Sequence, residues 1–442
     1  MRNLLNAGAR LGLVGAALAT LPAAVHAYTL FEEDQDYVQV DLSAIGGTFH
    51  SEKTYATAGG TQPGSLSWQE GYAHYGLSAG RALGGSLLEG RLSAVSSATW
   101  GDGDAAGFST GDESRTRIED AYLRWSSGDL IPWLGDNGLV VSAGRQTLSL
   151  GDGFLLGGDL VSMGRGLGRH FDRGGAYYLA GRSAFDQTAT ISLGGDQGFR
   201  GDLMWLKSDN RFQGRPEFAI ANLEHVSDYG TVGFSYLRGL SVNRADALAM
   251  GVQDRDGMNV YSLRAQGNAG VENLFLSAEA VFQDTDNEQE HAWYAEVGWT
   301  FADMPGTPSL NYRYSRFSKD YDPLFYAFSR GFGTWFQGEV AGNYAGPFST
   351  NTDVHHLNLL VQAHEKVAVG VAGFAFNTLD KRLGDMGGRE LDLYLSWDVM
   401  QGVTLIPLVG IYTPDEDVSN GGNQLGDAGT NLYGQLMLSL SF

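Results

Sequence analysis

Arginines and carboxylates recur in one phase of short alternating segments: Asp41, Glu70, Glu89, Arg91, Asp120, Arg124, Arg264, Glu279, Glu296, Arg313, Glu339 and Asp392. Two kinds of chemistry suit such a row. Guanidiniums attract an anionic solute and replace part of its water shell, as in anion-selective pores. An arginine beside a carboxylate on the next strand can instead form a static cross-strand ladder that holds a sheet in shape. Both signs are present, so the row admits either reading.

Catalytic and metal-binding constellations are poor. His355 and His356 are adjacent, so on a strand they point to opposite faces. His364 shares a face with His356, but eight residues along a strand is roughly 26 Å, which is no ligand spacing. Many serines are present, but none is assigned as a nucleophile. The acidic runs Asp284–Glu288 and Asp415–Asp417 offer hard oxygen ligands suited to Ca²⁺, but neither has a spaced loop motif, and both read as solvated loops. No enzyme, metal or cofactor is assigned.

The elements that carry the charged row are strands. In the last stretch, Leu432, Leu436, Leu438, Leu440 and Phe442 alternate with Asn431, Tyr433, Gln435, Met437, Ser439 and Ser441. A period of two places the sets on opposite faces. The same pattern sets Leu274, Leu276, Ala278, Ala280 and Phe282 against Ser277, Glu279 and Gln283. It also sets Ala121, Leu123 and Trp125 against Asp120, Tyr122 and Arg124. A soluble sandwich would turn its polar faces to water. A membrane barrel turns them inward, because a charge on its lipid face costs up to about 2–4 kcal/mol at the midplane.

Residues 1–27 read as a cleaved signal peptide: Arg2 and Arg10, an apolar core from Leu11 to Leu21, and a small-x-small site at Val25-His26-Ala27. Beyond it, no run reaches the roughly 18 apolar residues of a helical span. The chain has no cysteine, 63 glycines and 12% aromatics, which suits many strands, tight turns and interfacial girdles. A formal charge of −22 speaks against a nucleic-acid partner.

The fold expected is therefore all-β: a transmembrane antiparallel up-and-down barrel over residues 28–442, with about 18 strands and a range of 16–20. Polar connections over 101–114, 209–216, 243–257, 283–290, 317–333, 378–388 and 413–429 alternate with tight ones such as 302–306 and 398–402. The glycine-rich stretch 151–175 carries Arg165, Arg169 and Arg173, and is either an external loop or one folded into the lumen.

Two stretches carry a resemblance. Gly144-Arg145-Gln146 runs into the Gly151-Asp152-Gly153 turn, and Phe328-Ser329-Arg330-Gly331-Phe332 continues to Gln337-Gly338-Glu339. With Tyr314-Ser315-Arg316-Phe317, these segments resemble the alginate export family of outer-membrane barrels. The resemblance implies an 18-stranded channel that conducts a secreted polyanion or smaller anionic solutes through an arginine-lined constriction, with Arg145, Arg316 and Arg330 among its residues. Arg145 shares the phase of Val141 and Ala143, so an inward aim requires a bulge near Gly144.

The function expected is passive diffusion or export of anionic solutes, with an alginate-type polyuronate foremost. Its pore-lining candidates are Arg91, Arg124, Arg145, Arg264, Arg313, Arg316, Arg330, Glu89, Asp120 and Glu339. The partners are the lipid bilayer of the bacterial outer membrane and an anionic polysaccharide or small anionic solute, with room for periplasmic secretion partners. A general or cation-preferring porin is the first rival, and an outer-membrane lipid hydrolase the second.

Overall fold

The computed structural model describes residues 28–328, 330 and 337–441. The expected leader over 1–27 and the terminal Phe442 lie outside the described residues. The strands in chain order are β1 (Tyr28–Glu33), β2 (Asp36–Ser51), β3 (Leu66–Leu83), β4 (Ser86–Gly101), β5 (Ser114–Ser126) and β6 (Leu139–Gln146). Next come β7 (Phe185–Leu193), β8 (Gly198–Lys207), β9 (Glu217–Ser227), β10 (Gly230–Ser241), β11 (Asn259–Gly267) and β12 (Leu274–Asp284). The chain continues through β13 (Gln289–Thr300), β14 (Ser309–Phe317), β15 (Thr352–His364) and β16 (Val367–Thr378). It ends with β17 (Gly388–Met400), β18 (Val403–Pro414) and β19 (Asn431–Ser441).

Every neighbouring pair from β2 to β19 is antiparallel, and β19 pairs back onto β2 from Tyr433↔Ser51 to Ser441↔Ser43. The result is a closed barrel of 18 strands. Closure leaves no unpaired ladder facing lipid, the condition a spanning sheet must meet. The short β1 folds back on the start of β2, from Glu33↔Asp36 to Tyr28↔Val40, just beyond the point where β19 ends.

Side chains sort as the period-two pattern requires. Leu92, Leu123, Leu203 and Leu263 are each more than half exposed on the outer wall, while Glu70, Arg264, Glu279 and Asp392 on the inner wall are buried. The short connections 84–85, 194–197, 228–229, 365–366 and 401–402 lie on one rim, with 127–138, 268–273 and 301–308. The opposite rim carries most of the longer loops, the largest being 147–184 and 318–351, with one tight connection at 285–288. In such barrels the short-turn rim is periplasmic and the long-loop rim faces outward.

Both of these loops fold into the lumen and meet there. Leu156 bridges Phe325, Gly157 N donates to Phe325 O at 2.9 Å, and Ala327 N donates to Gly153 O at 3.0 Å. The described residues Phe328, Arg330 and 337–339 form no strand. They lie between β14 and β15, which removes Glu339 from the strand-phase row.

Apolar side chains explain the infolding. Phe49, Trp68 and Tyr433 on the inner wall pack with Tyr178 and Tyr344 from the loops, with Phe49 stacked on Trp68 at 5.3 Å. A second cluster joins Phe185, Phe218 and Tyr294 of the wall to Phe154 and Phe325 of the loops. Much of the centre is thus packed rather than wet, and the hydrophobic effect holds the loops in place.

Candidate channel constriction

A loop inside a barrel carries backbone donors that have left water and must find acceptors. The inner wall supplies carboxylates. Glu70 on β3 accepts from Tyr178 N at 2.9 Å and Leu179 N at 3.2 Å. Glu119 on β5 accepts from Ser183 N at 2.6 Å and Ala184 N at 2.7 Å. Glu390 on β17 accepts from Val340 N at 2.7 Å and Ala341 N at 2.8 Å. Each carboxyl side chain takes two backbone donors that would otherwise be buried without an acceptor, so these contacts pin the loops at defined heights. Many of the inward acids are therefore anchors.

The space left by the loops includes a cavity of about 280 Å³ between the 147–184 loop, the inner face of β5 and the loop over 208–216. Arg115, Arg117, Arg169, Arg173, Arg182 and Arg211 line it, with His170, Phe171, Asp172 and Asp209. Six arginines against two aspartates give the lining a net charge of +4 with His170 neutral. Arg115 meets Asp172 at 3.5 Å, and Arg173 and Arg182 meet Asp209 at 3.3 and 3.2 Å. Arg117, Arg169 and Arg211 form no salt bridge among the described residues, and Arg211 instead donates to His170. Burial pushes the Asp209 carboxyl up, but Arg173, Arg182 and Arg145 outweigh it and hold it at about 2.

The acidity of the chain collects elsewhere. A wider hollow of about 710 Å³ at the outer rim is lined by Asp254, Glu288, Glu290, Asp320 and Asp322, with Lys319 the sole cation among its lining residues. A formal charge of −22 therefore says little about the arginine-lined cavity.

The expected pore residues divide into four groups. Arg91, Arg124, Glu89 and Asp120 lie on the inner wall as a ladder: Arg91 meets Asp120 at 3.1 Å and Asp41 at 3.6 Å, and Arg124 meets Glu89 at 3.5 Å. Arg264 is inward too, but is buried among Glu224, Asn222 and Ser235. Arg145 reaches Asp209 at 3.2 Å because the register shifts between Gly144 and Gln146. Gly144 sits at φ 133°, where a Cβ would strike Ala121 O, so the bulge depends on glycine.

Three arginines and one glutamate depart from their expected place. Arg313 is on the inner wall but sealed behind the 318–351 loop, 1% exposed and stacked near the Phe328 ring at 5.1 Å. Arg330 joins the loops rather than lining an opening: it meets Asp152 at 2.9 Å and Glu296 at 3.0 Å. Arg316 shares the phase of Tyr312 and Tyr314, sits cross-strand from Trp293, and pairs with Asp353 at 3.7 Å on the outer wall. Glu339 is a buried loop residue that accepts from Tyr178 Oη.

The phase argument missed Arg115 and Arg117. Extending the outward set Ala121, Leu123 and Trp125 backwards by twos sends both to the lipid side. A bulge opposite Ser93 intervenes, where Leu92 pairs with Ala121 but Ala94 pairs with Ile118. It turns Glu119 and Asp120 both inward and reverses the phase above them. The one local signal is the alternation Arg115-x-Arg117-x-Glu119.

No known sequence family and no curated protein matches the chain. Solved structures do. Pseudomonas aeruginosa OccK9 (OpdG) superposes with a TM-score of 0.60 at 10% identity, over 91% of this chain and 98% of its own. Acinetobacter baumannii OccAB1 gives 0.58 at 9%, over 95% and 98%. Pseudomonas aeruginosa OccK7 (OpdD) gives 0.57 at 11%, over 92% and 99%. The likeness is one of fold: a bacterial outer-membrane porin barrel.

Proposed function

We propose that the protein is a passive channel of the outer membrane for small anionic solutes. The observation that carries this reading is the trio Arg117, Arg169 and Arg211, which face one cavity without a salt bridge among the described residues. Ion-paired arginines hold structure. Unpaired ones leave donors for a solute in transit, and such groups in a narrow lumen replace part of an anion's hydration.

The test is the reversal potential of the purified channel in a planar bilayer under a salt gradient. Anion preference is expected, and Arg117→Gln should reduce it. Cation preference in the native channel would discard the reading and favour the rival porin, to which the acidic outer hollow points.

A polyuronate presents the same carboxylate chemistry repeated along a chain, and its support is the pair of short motifs around Arg145 and Arg330. Conductance with uronate oligomers of graded length tests it: block that deepens with length is expected of a polymer path. Indifference to length restricts the channel to small anions.

A further inference from the structure

Asp209 lies in a cradle of three guanidiniums. Arg145 Nη2 and Arg182 Nη2 each stand 3.2 Å from its Oδ2, and Arg173 Nη2 stands 3.3 Å from its Oδ1. Three parts of the chain converge here: Arg145 is on β6, Arg173 and Arg182 are on the 147–184 loop, and Asp209 is near the start of the 208–216 loop.

The cradle is held from behind as well. Asp186 pairs with Arg145 at 2.7 Å, Asp159 with Arg173 at 3.4 Å, and Glu119 with Arg182 at 3.4 Å. Arg145 Nε also donates to Ile118 O at 3.0 Å, and Arg173 Nη1 to Asp159 O at 2.6 Å and Val161 O at 3.1 Å. These contacts fix the three guanidiniums without help from Asp209. The Asp209 side chain is 34% exposed, against 6% and 7% for Arg173 and Arg182, and it lines the same cavity as the unpaired arginines. A carboxylate on a short tether thus fills a preformed oxyanion hollow that opens onto that cavity.

On the basis of the anion-channel reading, we propose that the Arg145–Arg173–Arg182 cradle is a second oxyanion subsite on the path, and that Asp209 is a tethered anion competing for it with the passing solute. Its ligand class is any group presenting two or more anionic oxygens, a carboxylate or a phosphate. A tethered competitor acts at an effective concentration in the millimolar range or above, so it weakens the subsite without abolishing it. Conduction requires that balance, since a solute must enter readily and also leave. The three rear carboxylates match the three guanidiniums in charge. Neutralising Asp209 therefore leaves a donor-rich hollow that stays folded.

Asp209→Asn keeps the shape of the side chain and removes its charge. With succinate and inorganic phosphate as separate probes in planar bilayers, the variant should show concentration-dependent block at about tenfold lower concentration than the native channel. Block by one probe only would identify the oxyanion geometry preferred. Adding Arg182→Gln to the variant should cancel the gain. Asp209→Glu, which keeps the charge, should behave as the native channel. A gain in the Glu variant equal to that in Asn would mean a disordered loop and would overturn the proposal. So would an Asn variant whose reversal potential shifts while its blocking concentrations stay native. A native channel without anion preference, with Arg117→Gln inert, would instead remove the channel reading itself.

Discussion

Arg330 of one infolded loop donates through Nε to Asp152 of the other at 2.9 Å, and its Nη1 reaches Glu296 on β13 at 3.0 Å. One guanidinium thus ties both loops to each other and to the wall. The Phe275 and Phe328 rings flank it, with centroids 4.8 and 4.9 Å from its Cζ.

Removing this tie should loosen the constriction while leaving the barrel closed. Breaking a buried ion pair from one side costs about 3–5 kcal/mol, because the remaining charge is stranded. Arg330→Met is expected to raise single-channel conductance and current noise, with heat-modifiable gel migration unchanged. Native conductance in this variant would show that the loops do not depend on the contact.

Glu390 accepts two backbone donors of the 318–351 loop, from Val340 and Ala341. Glu390→Ala strands both at about 1–3 kcal/mol each. Cleavage of that loop by an added protease should speed up, while the 147–184 loop, anchored by Glu70 and Glu119, keeps its native rate.

Arg316 faces outward and pairs with Asp353. Arg316→Gln should leave ion selectivity at the native value, in contrast to Arg117→Gln. A shift in reversal potential equal to that of the Arg117 variant would contradict the outward placement.

Leu263 sits mid-strand on β11 with 59% of its surface exposed on the outer wall. Leu263→Arg should destabilise the folded barrel by about 2–4 kcal/mol in bilayers if the site lies near the midplane. Urea titration of refolding into vesicles measures this, and a neutral effect would place the residue away from lipid.

Acid should act late on the Asp209 cradle. The carboxyl titrates at about 2 in the folded protein, against about 3.9 in an unfolded chain. A value lowered by folding contributes stability that is complete above about pH 4 and is lost as pH falls through about 2. With Asp186, Asp159 and Glu119 still holding the cradle from behind, protease resistance of the 147–184 loop should hold from pH 8 to about 4 and fall only in part below that, by the share Asp209 contributes. A midpoint near neutrality would assign the loop's stability to another group.

Most of the barrel was legible because lipid imposes a rule that acts one residue at a time. A side chain such as Leu276 or Leu393 is outward or not according to its phase alone, and the neighbouring Glu279 or Asp392 follows. The strand count and the alternation of short and long connections follow from the same pattern. The signal failed at Arg115 and Arg117, where one bulge reversed the phase, and at Glu339, which lies in an infolded loop.

The sequence by itself therefore determined the wall, since period-two burial against lipid is local and needs no knowledge of distant contacts. Only the tertiary structure decided the constriction. Whether Arg117 stands free while Arg330 and Arg313 are locked depends on two loops meeting in the lumen, and on which carboxylates, far apart in the chain, come within about 3 Å of each guanidinium. Ion pairing at that range is set by packing between remote segments, and no periodicity along the chain records it.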